Sequence, residues 1–304
     1  MKKIVVLGKN GRLGHALCEA SIGKAMQVYA LDRHACNVLC DRRIANVLDK
    51  YEPTYVINAT GYTNVALARE EKDRAWALNV QAVQWIASAC RQRNIAFIQI
   101  SSDYVFSGQD RFPWYATDAI HPQGYYAYTK AMGEQCVLQT MTKGMIVRAG
   151  WFHQGKNDFV AKILDRVRES KAPLSVTKEQ VGKPTYILHL ARWLLRSIES
   201  RIERHSLEIV HYREQGSYVS RFGWAQYILQ QAIQWAYANR QSMWAQRYQR
   251  ALANLDDQYV LPNRQPKNCR LANDRTDHWS VRSVPHWQEG TQKSVIWYCQ
   301  HHCD

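Results

Sequence analysis

A tyrosine and a lysine four residues apart, Tyr126 and Lys130, follow a hydroxyl residue, Ser102, in the chain. On a helix, positions i and i+4 share one face. A neighbouring ammonium favours the phenolate, so Lys130 is expected to lower the Tyr126 pKa from its ordinary ~10. That makes the phenol a competent proton donor to a carbonyl receiving hydride. Ser102 can hydrogen-bond the carbonyl oxygen. Alone, a Tyr and a Lys at this spacing are an ordinary helix-surface pair, and their meaning comes from what precedes them.

What precedes them is a glycine-rich run, Gly8-Lys9-Asn10-Gly11-Arg12-Leu13-Gly14, directly after the apolar run Ile4-Val5-Val6-Leu7. Gly8, Gly11 and Gly14 permit a tight turn and a close backbone approach to a pyrophosphate, and the helix N-terminus behind them holds the negative charge. Asp32 ends the next strand-like run and can accept hydrogen bonds from the ribose hydroxyls of NADH. Arg33 beside it can hold the 2′-phosphate of NADPH. The pair leaves both cofactors open. Glycine turn and proton-delivery pair, in this order, describe a nicotinamide-dependent reductase in which Lys130 can also hold the nicotinamide ribose.

The elements that must position these residues are legible as an alternation. Apolar strand-like runs fall at residues 3–7, 27–31, 55–59, 96–100 and 145–148. Helical patterns fall between them at residues 11–20, 41–51, 71–93 and 122–140. In the helix at 71–93, Ala75, Leu78, Ala82, Trp85, Ile86 and Ala89 recur at helical spacing. Such alternation predicts an α/β protein, a Rossmann-type doubly wound parallel sheet with helices on both faces. The domains expected are a dinucleotide-binding unit over residues 1–150, to which later helices can return, and a smaller C-terminal substrate-binding lobe over 151–304. Further helices are read at 157–169, 187–199 and 220–237, and short strands at 174–176 and 208–212. The last sixty or so residues, polar and Trp-bearing, show no clear pattern.

The chain has 304 residues, 46% of them hydrophobic, enough for a sizeable core. No apolar stretch approaches the ~20 residues of a membrane span, and Met1-Lys2-Lys3 runs straight into a strand, unlike a signal peptide. The location expected is cytoplasmic. Eight scattered cysteines fit reduced thiols better than a disulfide framework. Cys299-Gln300-His301-His302-Cys303 lacks the second ligand pair of a zinc site, and a frayed tail is expected there. The net charge of +14 comes with no nucleic-acid motif. It suits anionic small molecules, a nucleotide diphosphate among them, rather than DNA or RNA.

The chain resembles the dTDP-4-dehydrorhamnose reductase family of the extended short-chain dehydrogenase/reductases. The resemblance rests on Val56-Ile57-Asn58-Ala59-Thr60-Gly61-Tyr62-Thr63-Asn64-Val65 and on Ile100-Ser101-Ser102-Asp103-Tyr104-Val105-Phe106-Ser107-Gly108. It extends to Phe112-Pro113-Trp114, Tyr126 through Lys130 and Gly133-Glu134. In the second half it includes Arg148-Ala149-Gly150-Trp151-Phe152, Asn157-Asp158-Phe159 and Glu179-Gln180-Val181-Gly182-Lys183-Pro184-Thr185.

The resemblance implies that Tyr126 donates the proton, with Lys130 and Ser102 as its partners. It places Asn10, Gly11, Arg12 and Leu13 on the pyrophosphate. Thr60, Gly61, Tyr62 and Thr63 would lie along the cofactor, and Asn37 and Val38 beside the adenine. Trp151 would lie against the sugar ring, with Val65, Ser102, Asp103 and Tyr104 nearby; read from its type alone, a Trp is as readily a core residue. The implied substrate is a dTDP-linked 4-keto-6-deoxyhexose, and the implied product dTDP-L-rhamnose for cell-surface polysaccharide. A ring-contracting, dihydrostreptose-type reaction and a non-catalytic, dinucleotide-binding regulatory subunit are the alternatives. Departures at Asn37, Ala66, Arg69, Ala116, Ala127 and Glu179 bear on the substrate and leave the proton-transfer set intact. Some family members pair as dimers bridged through acidic residues and Mg²⁺. Here His15 stands where an acidic residue is expected, so a homodimer is carried as an expectation and the metal is not.

Overall fold

The computed structural model describes residues 1–170, 172–200, 206–262, 265–272 and 284–303. Strand β1 (Lys2–Leu7) leads through the glycine turn into α1 (Arg12–Ser21), then β2 (Met26–Leu31), α2 (Asp41–Tyr51) and β3 (Tyr55–Asn58). The next helix is interrupted. Helix α3 (Lys72–Trp76) and α4 (Ala82–Gln92) are joined by a π-helical turn, Ala77–Gln81. Then follow β4 (Ala96–Ser102), a 3₁₀ turn (Asp103–Val105), α5 (Gly124–Thr140) and β5 (Gly144–Ala149).

Six strands form one parallel sheet. With β9 (Leu207–His211) as the sixth, its order is β2-β1-β3-β4-β5-β9. Both faces are covered, which is why the strands read as apolar runs: Ile4, Val5, Val6, Val56, Ile57 and Phe97 are fully buried. The chain moves outward from β1 to β2, then returns to β3 on the other side of β1. The crevice at the carboxyl ends of β1 and β3 is therefore the switch point where such sheets bind ligands.

The first unit takes back later elements, a helix as the division at residue 150 allowed and also a strand. Helix α7 (Ile187–Ser200) packs into the core shared by α1 and the sheet, through Leu190, Trp193 and Leu194, and β9 then joins β5. The sheet therefore draws on both sides of that boundary. The strand expected at 174–176 is a single bridge, Ser175 to Asp256.

The remainder builds the lobe. The pairs β6 (Phe152–His153) with β8 (Thr185–Tyr186), and β7 (Val181–Gly182) with β10 (Val219–Ser220), form two small sheets. Around them lie α6 (Phe159–Glu169), α8 (Arg221–Ala238), α9 (Ser242–Ala253) and α10 (Trp287–His302), packed through Leu164, Trp224, Ile228, Tyr248 and Tyr298. The C-terminal run is thus no frayed tail. Cys299 and Cys303 are buried, with Cys303 Sγ 3.1 Å from the Tyr248 hydroxyl. Among the described residues no helix is long and apolar enough to cross a membrane.

One buried ion pair fixes α5 to the sheet. Arg148 on β5 donates from Nε to Glu134 Oε1 at 3.0 Å and from its terminal nitrogen to Oε2 at 2.7 Å, and both residues are almost fully buried. A third donor reaches the Ala116 carbonyl at 3.2 Å. Removing one partner leaves a buried charge uncompensated. Glu134→Ala is expected to destabilise the protein by about 3–5 kcal/mol, measured by denaturant unfolding. A loss within the range of a surface substitution, about 0.5 kcal/mol, would contradict this role.

Candidate active site

A cavity of about 950 Å³ opens over the carboxyl ends of β1, β3, β4 and β5. It brings together Asn10, Gly11, Arg12 and Leu13 after β1; Thr60, Gly61, Tyr62, Thr63 and Val65 after β3; Ser102, Asp103 and Tyr104 at the end of β4; Tyr126 and Lys130 on α5; and Trp151 after β5. Gly8 and Gly14 close-pack the turn that carries Asn10, Gly11, Arg12 and Leu13. Gly8 has φ +96°, and a Cβ on it would lie 2.9 Å from the Thr60 methyl. A Cβ on Gly14 would lie 2.1 Å from the Gly8 carbonyl oxygen. The helix that starts there carries no acidic residue in its first turn. This cradle fits a pyrophosphate.

Six expected residues do not line the cavity: Gly8 and Gly14, which belong to the turn itself, and Asp32, Arg33, Asn37 and Val38. Asp32 Oδ1 accepts from the backbone N–H groups of His34 (3.0 Å) and Ala35 (2.9 Å), bonds that hold its carboxyl below the usual range. Arg33 is exposed. Asn37 Oδ1 accepts from the Leu39 N–H at 3.1 Å, and Val38 is buried in the core on the α2 side of the sheet.

The loops are tied down by buried polar side chains to which the sequence assigned no role. Asn58 Oδ1 accepts from Thr60 N at 3.0 Å, and its Nδ2 donates to Gln99 at 2.9 Å. Asn79, in the π turn, accepts from Tyr62 N (2.9 Å) and donates to Thr129 on α5 (3.0 Å). Asn79 thus ties the loop after β3 to α5, a position where π turns recur. Asp158 Oδ2 accepts from the N–H groups of Gln154 (2.7 Å) and Gly155 (2.8 Å), while its Oδ1 caps α6 through Ala161 N. Asn58 and Asp158 stand in the motifs that carry the resemblance, while Asn79 is marked only as a poor helix former in mid-helix.

Burial governs the electrostatics. Lys130 Nζ donates to the Ile100 carbonyl at 2.7 Å and is desolvated, which pulls its pKa down to about 8. Tyr126 is pushed up to about 12 by burial, with the Ser102 hydrogen bond acting in the opposite direction. The expected lowering of the Tyr126 pKa is therefore reversed, because desolvation of the phenolate outweighs its neighbours. Tyr126 is held as a phenol across physiological pH.

Trp151 is 7% exposed and takes a positive φ of 56°. Its ring carries the Arg221 guanidinium, 3.7 Å from the centroid. Arg221 opens α8, donates to Gln180 Oε1 at 2.9 Å and also lines the cavity, as do Lys156 and Trp297. Gln180 in turn donates to the Tyr104 hydroxyl at 3.2 Å. No motif pointed to Arg221. Of the described residues lining the cavity, Asp103 is the one carboxylate among Arg12, Lys130, Lys156 and Arg221, so the site favours anionic ligands.

Fold and crevice define a dinucleotide-binding protein of the Rossmann type. The model of the RmlD substrate binding domain matches residues 1–299, and the chain belongs to that family. It is 31% identical to the dTDP-4-dehydrorhamnose reductase of Aggregatibacter actinomycetemcomitans over 236 residues, 77% of this chain and 80% of that protein. It is 26% identical to the dTDP-4-dehydrorhamnose reductase of Escherichia coli (strain K12) over 296 residues, 96% of each chain. A crystal structure of dTDP-4-dehydrorhamnose reductase from Bacillus anthracis in complex with NADP superposes with a TM-score of 0.80. It covers 98% of this chain and 99% of that one, at 24% identity, a likeness of fold.

The turn makes a steric prediction. Because a Cβ on Gly14 would overlap the Gly8 carbonyl, Gly14→Ala is expected to weaken NAD(P)H binding roughly tenfold or more, the equivalent of about 1.4 kcal/mol. Titration of nicotinamide fluorescence measures it. Undiminished affinity in a folded variant would refute the close-packed turn.

Proposed function

We propose that this protein reduces the 4-keto group of a dTDP-4-dehydro-6-deoxyhexose with NADPH or NADH, forming dTDP-L-rhamnose in the cytoplasm. One observation carries the reading: Ser102, Tyr126 and Lys130 line the same cavity as the glycine turn and Trp151. A subunit that only bound a dinucleotide would have no use for that convergence. The basic lining suits two diphosphates, one of the cofactor and one of the substrate. The eight cysteines are free, in keeping with a reducing compartment.

The reduced nicotinamide supplies the hydride. The chain supplies position and the proton. Arg12, Leu13 and the backbone of the turn hold the pyrophosphate, and Thr60, Gly61, Tyr62 and Thr63 form the wall along the cofactor. Lys130, charged below its pKa of about 8, offers its ammonium to the nicotinamide ribose while anchored on the Ile100 carbonyl. Tyr126, a phenol at working pH, gives its proton to the developing alkoxide at C4. Trp151, stiffened by Arg221 on its ring, borders the sugar beside Val65 and Tyr104.

The test is oxidation of NADPH or NADH with the dTDP-4-keto sugar, with the product identified by mass and NMR. A rhamnose is expected; a ring-contracted pentose would replace this reading with the dihydrostreptose-type reaction, and no turnover would favour the binding role. Tyr126→Phe is expected to lower kcat by about 10²–10⁴ and leave cofactor affinity nearly unchanged. Unaltered turnover in that variant would remove Tyr126 from the chemistry.

A further inference from the structure

The one carboxylate of the cavity sits directly behind the hydroxyl that touches Tyr126. Asp103 is 2% exposed, and its Oδ1 lies 2.9 Å from Ser102 Oγ. Its Oδ2 accepts no hydrogen bond from nitrogen or oxygen. That oxygen is packed against Gly150, where a Cβ would approach to 2.2 Å. Room for the carboxylate is therefore built into the turn after β5, at the one residue type that leaves it.

Ser102 has a single proton to give. It accepts from the Tyr104 N–H at 3.2 Å, and its hydroxyl shares the cavity with the Tyr126 phenol, whose pKa it acts to lower. While Asp103 is ionised, that carboxylate can only accept, so the Ser102 proton points to Oδ1 and away from Tyr126 and the substrate. When Asp103 is protonated, it donates to Ser102, and the Ser102 proton is released towards Tyr126. The direction of the whole row is set by one proton on Asp103.

We propose that Asp103, acting through Ser102, restores the proton that Tyr126 gives up during reduction. The proposal rests on the reductase reading above. Tyr126 transfers its phenolic proton to the alkoxide oxygen formed by hydride addition. Ser102 passes its proton to the Tyr126 phenolate and takes the carboxyl proton of Asp103. Three O–H bonds break and three form, and the negative charge ends on Asp103. Water in the open cavity, which Asp103 lines, then reprotonates the carboxylate. Asp103 is a positioning and relay residue; Tyr126 remains the group that meets the substrate.

The surroundings poise this carboxyl for the task. The groups facing it are Arg221 from α8, whose charge favours the carboxylate, the hydroxyls of Ser102, Tyr104 and Tyr126, and the Cys269 thiol. Burial opposes ionisation more strongly than Arg221 and Ser102 favour it, and the carboxyl is pushed up to about 6. The acid form is the competent one, so the reductive rate falls as pH rises through that value.

Two measurements test the relay. Steady-state, multiple-turnover reduction of the dTDP-4-keto sugar, followed against pH, is expected to decline above about 6 in the wild type. Asp103→Asn is expected to be slower by roughly tenfold or more at low pH and flat across the same window, with NAD(P)H affinity retained as the sign of a folded site. Asp103→Glu is expected to restore a pH-dependent limb. An unchanged limb in Asp103→Asn would overturn the proposal. The second measurement needs neither substrate nor turnover. In the protein alone, ¹³C NMR of carboxyl-labelled aspartate, assigned by the signal lost in Asp103→Asn, is expected to show a midpoint near 6 that moves upward in Ser102→Ala. A midpoint in the ordinary carboxylate range, indifferent to Ser102→Ala, would also overturn it. A wild type inert towards the sugar would sink the reductase reading, while the carboxyl titration would still decide the Asp103–Ser102 link.

Discussion

The site depends on one hydrogen bond across the seam between a helix and the sheet. Lys130 on α5 reaches the Ile100 carbonyl at the end of β4, 2.7 Å away. The same carbonyl accepts from Gln99 Nε2 at 2.9 Å, and Gln99 in turn accepts from Asn58 on β3. A buried ammonium without such a partner would carry a severe desolvation cost. The bond therefore fixes the axial position of α5, and with it Tyr126, one helical turn before Lys130. Behind it, Gly133 allows α5 to close on the Asn79 carbonyl, which a Cβ would approach to 2.3 Å. Glu134 and Arg148 lock the same stretch to β5. Three adjoining contacts thus seat one helix, each needing the residue type present.

That seating explains why burial, rather than the neighbouring charge, sets the protonation states. A helix docked this closely desolvates Tyr126 and Lys130 on the side that faces the sheet. The charged form of each is penalised, and the phenol and the amine move in opposite directions, to about 12 and about 8. Reading Lys130 as a device to lower the Tyr126 pKa counts the ion and omits the solvent. A proton donor to an alkoxide gains from being firmly protonated before the reaction, and the role proposed for the lysine at the ribose needs only its charge.

The alternating fold was legible because both faces of a parallel sheet are covered, so β1, β3, β4 and β5 appear as short apolar runs between helical patterns. The glycines, Tyr126 and Lys130 were legible because turn geometry and helix spacing restrict residue type. Other features leave no such mark. The strand at 207–211 is visible as a strand, but its place beside β5 is set by α7 packing on α1. Helix α10 buries one face, but Gly290, Thr291 and Ser294 stand on it among Trp287, Val295, Tyr298 and Cys299, so no continuous apolar stripe marks it, hence the unreadable C-terminal region. Arg221 is a single polar residue outside every motif, whose significance comes only from what the lobe folds against it. Asp32 and Asn37 fit a ribose and an adenine by type, yet their carboxyl and amide oxygens serve backbone N–H groups of their own turns.

The meeting of sheet and lobe is also where local backbone cost is concentrated. Trp151 occupies a left-handed conformation, unusual for so bulky a residue. It directly follows Gly150, whose missing side chain makes room for Asp103. Its carbonyl accepts from Thr185 N at 3.1 Å, pairing the start of β6 with β8. Its ring lies under Arg221, from the first turn of α8, and against Gly182, where a Cβ would come within 2.9 Å of the indole. The strained residue is therefore held from three parts of the lobe at once, the condition under which such strain persists. One turn places a carboxylate behind Ser102 and an aromatic wall in front of it. Movement of the lobe would disturb both, so the lobe that closes this side of the cavity also holds in place the row proposed to end at Tyr126.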